Sequence, residues 1–223
     1  LLCLPMIGFG QNVNIPDADF KAYLVGNAYI NTNGDSEIQV AEAAVFNGVI
    51  QCSGVTFTGN ISDLTGIEYF TALIELDISY NQLTSLDVSN NLALTHLHCE
   101  YNGLTSLDLS NNLALTKLYC EYNQLTSLDL SNNLALTYLY CYNNQIECLD
   151  VSNNTSLTRL WCYNNLLEQL NTKNANFNNL YVKLESNNLT CVEVDNIGHA
   201  TNNWEYDSFT TLTTNCNYAN PCA

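Results

Sequence analysis

His96, His98 and Glu100 alternate along the chain, and residues two apart on an extended segment point to the same side. Two imidazoles and a carboxylate on one side could hold a transition-metal ion or relay a proton. Glu75 and Asp77 are expected on the neighbouring segment. The competing reading is a solvated sheet surface, because the chain has only three histidines and an open face builds no pocket. Asp87, Asp108, Asp129 and Asp150 form a second constellation at a fixed interval. Stacked about 5 Å apart, each pair would repel by about 0.8 kcal/mol even in bulk water, so they need Ser and Thr hydroxyls as donors or a shared cation. A third is aromatic: Tyr119, Tyr138, Tyr140, Tyr142, Arg159, Trp161 and Tyr163 are the side-chain types that dominate interface hot spots. Either they form a ligand-binding patch or their rings stack merely to support a sheet.

The element that positions all three is a repeat. LTSLDVSNNLALTHLHCEYNG, from Leu83 to Gly103, recurs three times up to Leu166, and Leu83, Leu104 and Leu125 set the period at 21 residues. The core pattern Leu-x-x-Leu-x-Cys-x-x-Asn-x-Leu is filled by Leu115, Leu118, Cys120, Asn123 and Leu125. Leu118 and Cys120 face inward on a strand, and Tyr119 and Glu121 are expected to face solvent. One unit buries a single layer and cannot make a core, so units must stack at about 4.8 Å. Stacking turns Asn81, Asn102, Asn123, Asn144 and Asn165 into a ladder that pairs turn backbone. Cys99, Cys120, Cys141 and Cys162 fall on one inward column as small hydrophobes rather than disulfides or zinc ligands. Leu104, Leu107, Leu109 and Asn112 repeat this logic on an opposite wall, itself strand-like with little helix.

This pattern resembles the leucine-rich repeat, and its nested half-units resemble the IRREKO type; in general architecture the chain is similar to internalin-like, exported bacterial leucine-rich repeat proteins. The resemblance implies a β-rich repeat solenoid with a parallel sheet, a small helical N-terminal cap and a C-terminal cap. The chain divides into a signal-peptide remnant (1–10), an N-terminal cap (11–63), the array (64–189) and a C-terminal cap (190–223). The resemblance further implies a non-catalytic module that recognises a protein or surface glycan, secreted or at the cell surface. A carbohydrate-binding or targeting module of a larger secreted enzyme is the alternative.

In the N-terminal cap, Asp17 or Asp19 can cap a helix carrying Phe20, Tyr23 and Leu24, with Gly26 at its end. The following segment, Asn31 to Glu42, resembles an EF-hand calcium loop. Asn31, Asn33 and Asp35 stand at its first, third and fifth positions, Glu37 at the seventh through its carbonyl, and Glu42 at the twelfth. Asn31 replaces the usual Asp and Ser36 the turn glycine, so the segment is expected either to hold one weak, structural calcium ion or to be a metal-free helix-capping loop. Leu1 to Gly10, an apolar run ending in small residues, reads as the tail of an export signal. Of the ten cysteines, Cys52 is expected inward and Cys148 partly exposed. Cys191, Cys216 and Cys222 remain for a staple, with Cys191–Cys216 the favoured pair.

The chain carries 22 acidic and 5 basic residues, a net charge of -17, with only 12% charged side chains. Nucleic acid is an unsuitable partner for such a surface, since phosphate binding needs Lys and Arg. Three of the five cations, Lys117, Arg159 and Lys183, fall on the variable outward columns. No run reaches the roughly 18 apolar residues of a transmembrane segment. Nothing in the chain fixes its oligomeric state.

Overall fold

The computed structural model describes residues 10–54, 60–173 and 179–216. Residues 1–9 of the signal reading, and Cys222, lie outside them. Two short helices open the chain, α1 (Ala18–Gly26) and α2 (Val40–Val45). Asp17 caps α1, accepting from the backbone N–H groups of Asp19 and Phe20. Its second carboxylate oxygen accepts from Ser62 N, fastening the helix to the first turns of the array.

Among the described residues, eleven three-residue strands follow these two helices. Seven form one parallel sheet: β1 (Val49–Gln51), β2 (Glu75–Asp77), β3 (His96–His98), β4 (Lys117–Tyr119), β5 (Tyr138–Tyr140), β7 (Arg159–Trp161) and β9 (Tyr181–Lys183). The register is one repeat per rung, pairing Leu76, Leu97, Leu118, Leu139, Leu160 and Val182 in a single buried line. The opposite wall is strand-like only toward its end, where β6 (Cys148–Asp150), β8 (Gln169–Asn171), β10 (Cys191–Glu193) and β11 (Thr211–Thr213) pair. A third helix, α3 (Ile197–Asn203), lies between β10 and β11. The result is a parallel β-solenoid of leucine-rich repeat form. Its sheet begins at β1, within the segment assigned to the N-terminal cap. Among the described residues no helix is long and apolar enough to cross a membrane.

The strands stay short because the chain leaves the sheet at a repeated left-handed residue: Tyr80, Tyr101, Tyr122, Asn143, Asn164 and Ser186 have φ between 52° and 58°. Asn adopts this geometry readily, whereas Tyr there costs on the order of 1–2 kcal/mol. Stacking offsets that cost, with Tyr80 on Tyr101 at 4.2 Å and Tyr101 on Tyr122 at 4.1 Å between ring centroids. Next to each turn stands the expected asparagine. Asn102 Nδ2 donates to the carbonyls of Ile78 and Cys99, and its Oδ1 accepts from Leu83 N. Asn123 and Asn144 do the same one and two rungs on. Thr116, Thr137 and Thr158 add a hydroxyl ladder, each Oγ1 donating to the threonine carbonyl one repeat back. The four column cysteines and Cys52 are buried and free. Cys191 and Cys216 are disulfide-bonded, as expected. Half-buried Cys148 is disulfide-bonded as well, which its place in the repeat did not announce.

Candidate binding surface

The outward residues of β4, β5, β7 and β9 form two adjoining columns. One runs Lys117, Tyr138, Arg159, Tyr181, and the other Tyr119, Tyr140, Trp161, Lys183. Each strand has one buried centre between two outward residues, so the pleat alone delivers both columns to the same face. Tyr140 stacks on Trp161 at 4.1 Å with planes 2° apart, and Tyr119 meets Tyr140 edge-on at 5.0 Å. Lys117 Nζ lies 5.5 Å and the Arg159 guanidinium carbon 5.2 Å from the Tyr138 ring centroid, while Lys183 Nζ is 5.3 Å from that of Trp161. Tyr142 and Tyr163, stacked at 4.4 Å, stand just beyond the strand ends, and Tyr142 is also 6.3 Å from Trp161. All seven expected residues therefore join one surface. An open depression of about 670 Å³ on it is lined by Tyr138, Thr158, Arg159, Trp161, Asn179, Tyr181 and Lys183. Thr158 and Asn179 were not expected; no sequence signal marks them beyond their positions beside the strands.

The histidine region is built differently. His98 stacks on Tyr119 at 4.3 Å, and burial holds its imidazole below the usual value despite the nearby carboxylates of Asp77 and Glu75. His96 Nδ1 is 2.8 Å from the neighbouring Thr95 hydroxyl. His98 Nδ1 and Glu100 Oε2 are 4.0 Å apart, too far for a hydrogen bond. Among the described residues, no three of His, Cys, Asp and Glu are arranged to hold a metal ion.

Glu100 and Glu121 correct the outward assignment. Glu121 is 7% exposed, Glu100 is half-buried, and an oxygen of each is buried without a hydrogen-bond partner. The alternation of a strand ends at Tyr119, and the chain curls inward toward left-handed Tyr122, taking both Cys120 and Glu121 under cover. Burial pushes both carboxyls up to about 7. The Tyr142 hydroxyl donates to Glu121 at 3.3 Å.

The aspartate column needs no cation to hold it. Each of Asp87, Asp108, Asp129 and Asp150 accepts from the backbone N–H of the serine two residues on, at 2.8–2.9 Å. Hydrogen bonds from these serines hold the carboxyls of Asp87, Asp108 and Asp129 below the usual range.

In the Asn31–Glu42 loop the oxygens a calcium ion would take are engaged internally. Asn31, Asn33 and Asp35 each accept from backbone N–H groups of the loop; the Glu37 side chain, not its carbonyl, pairs with Lys21 at 2.7 Å. Glu42 Oε1 accepts from Thr32 N, Thr32 Oγ1 and Asn33 N, and Oε2 from Gln39 N. Burial raises its carboxyl and these donors more than reverse the effect, leaving it below the usual value. Glu42 thus serves as the capping-box carboxylate of α2, and an ion would reach it by displacing the N–H groups that close the loop. Ile38, within the same loop, is fully buried in the core.

No protein-family model matches the chain, and no curated protein matches it in sequence. Solved structures do. The functional domain of InlJ from Listeria monocytogenes, described as including a cysteine ladder, matches with a TM-score of 0.66 and 28% identity over 91% of this chain. A Listeria monocytogenes internalin, inlF, matches at 0.56 with 20% identity, covering 93% of this chain and 74% of that one. A Leptospira interrogans leucine-rich repeat protein matches at 0.58 with 25% identity, covering 68% and 41%. The fold is thus that of leucine-rich repeat proteins, and its solved neighbours include bacterial internalins. This chain spans 48% of the InlJ chain it resembles.

Proposed function

We propose that the protein is a non-catalytic recognition module, exported to the cell surface or medium, that binds a protein partner through the outer face of β4, β5, β7 and β9. The observation that carries this reading is the convergence of Tyr138, Arg159 and Trp161 around one depression, with Tyr140 stacked on Trp161, in side-chain types suited to hot spots. The leucine-rich repeat neighbours support a protein-interaction role, and the Cys191–Cys216 disulfide suits an oxidising compartment. A neutral sugar is less well served. It would stack on exposed ring faces, but Tyr140 and Trp161 cover one another, Lys183 lies over Trp161, and Tyr138 carries Lys117 and Arg159.

The test is capture of surface proteins by the intact chain. Tyr140→Ala combined with Trp161→Ala is expected to weaken capture by about 100-fold or more, since hot-spot truncations cost about 2 kcal/mol or more each. Circular dichroism of the double variant should be unchanged. Undiminished capture would exclude this face.

A further inference from the structure

The chain's five cations are unequally employed. Lys21 pairs with Glu37, Lys173 with Glu193 and Lys183 with Glu205, at 2.7, 3.1 and 2.9 Å. Among the described residues, Lys117 and Arg159 have no carboxylate within ion-pair distance. In a chain with 22 acids and 5 bases, a carboxylate partner is the default, and these two exceptions share one ring. Tyr138 stands between them in register, with both charges 5.2–5.5 Å from its centroid. Resting over the half-buried Tyr138 ring is a weaker attraction than an ion pair to a desolvated carboxylate. Arg159 is exposed and lines the depression, and its guanidinium is engaged by the Tyr140 hydroxyl rather than by a carboxylate, which leaves donors of its five-donor fork for a ligand.

We infer that the depression beside Tyr138 seats carboxylates of an acidic segment in the protein partner, with Arg159 gripping one and Lys117 attracting a second. This rests on the reading of the face as a protein-binding surface and adds the chemistry of the partner. An arginine fork matches a carboxylate by two parallel hydrogen bonds. Strands β4 and β7 are two rungs apart, so the two cations lie in rows separated by roughly 10 Å. That spacing keeps them from converging on a single phosphate and suits two acidic residues on the same side of an extended segment, two or four residues apart, about 7 or 13 Å. The third cation, Lys183, is neutralised by Glu205, which also accepts from the Tyr181 hydroxyl. That pairing leaves Lys117 and Arg159 as the cations of this face without an ion-pair partner among the described residues.

The test is selection of short random peptides displayed on phage against the immobilised intact protein, in parallel on Arg159→Gln, Lys117→Gln, Lys21→Gln and the Tyr140→Ala, Trp161→Ala double variant. Selected peptides should be enriched in Asp and Glu and bind Arg159→Gln about tenfold or more weakly, the worth of one charge-assisted pair. Lys117→Gln should give a smaller loss and Lys21→Gln none. Peptides without acidic enrichment, or acidic peptides indifferent to both cation substitutions, overturn the inference but leave the face reading standing provided the double variant fails to bind. Peptides that bind the double variant normally, or no selection at all, overturn both. A neutral-glycan array whose capture depends on Trp161 but not on Arg159 also overturns it, in favour of sugar.

Discussion

Strands β2 and β3 present Glu75, Asp77, His96 and His98, whereas β5 and β7 present Tyr138, Tyr140, Arg159 and Trp161. Beneath them lie the same residues, Leu76 and Leu97 under one half and Leu139 and Leu160 under the other, all fully buried. Just past the strands the halves part again: Glu100 and Glu121 are tucked in where Tyr142 and Tyr163 stack. Scaffold and surface are thus written in separate positions of one repeat, and the surface can change sign and chemistry within two rungs while the backbone keeps its register.

Core truncation should ignore the distinction. Leu97→Ala and Leu139→Ala are each expected to destabilise by about 2–5 kcal/mol in urea unfolding. A large difference between the two would mean that the halves are not held by equivalent packing. In contrast, pH should separate them. A carboxyl whose folded value is raised contributes its full share of stability below the ordinary value of 4.5 and loses it as pH rises through about 7, the situation of Glu100 and Glu121. His98, lowered by burial, acts in the opposite sense, losing stability as pH falls below its ordinary value of 6.5. With two carboxyls against one imidazole, stability should decline between pH 5 and 8. Glu121→Gln should flatten that decline and stabilise the protein at pH 8 by up to roughly 3 kcal/mol. A pH profile unaltered by this substitution would show that Glu121 is solvated in the native state. The smallest effect is expected at the N-terminal loop. Because its own N–H groups occupy Glu42, exchanging calcium for chelator should shift the melting temperature by no more than a degree or so, within roughly 0.5 kcal/mol. A calcium-dependent rise of several degrees would restore the metal.

Most of the scaffold was legible because a fixed period leaves little freedom: Leu118, Cys120 and Asn123 could each be assigned a column and a partner before any coordinates. The aromatic surface followed from the same columns. What escaped was local. Extending a strand's alternation beyond its last residue puts Glu121 in solvent, and no residue type announces where a three-residue strand stops, since the left-handed site is Tyr in three turns, Asn in two and Ser in one. In the Asn31–Glu42 loop, spacing specifies which oxygens are near one another but not which N–H groups reach them first. Cys148 sits at a position that is serine one unit earlier, so the repeat gave its disulfide no precedent.

The asparagine ladder has a consequence for how the molecule comes apart. Asn123 binds the carbonyls of Cys99 and Cys120 and the amide of Leu104, so its side chain spans consecutive turns rather than serving its own. Opening any interior turn strands polar groups in its neighbours. The array should therefore fray from its ends like a zip, with amide exchange slowest near Leu118 and Leu139, and under a pulling force it should yield turn by turn instead of snapping at one weak link.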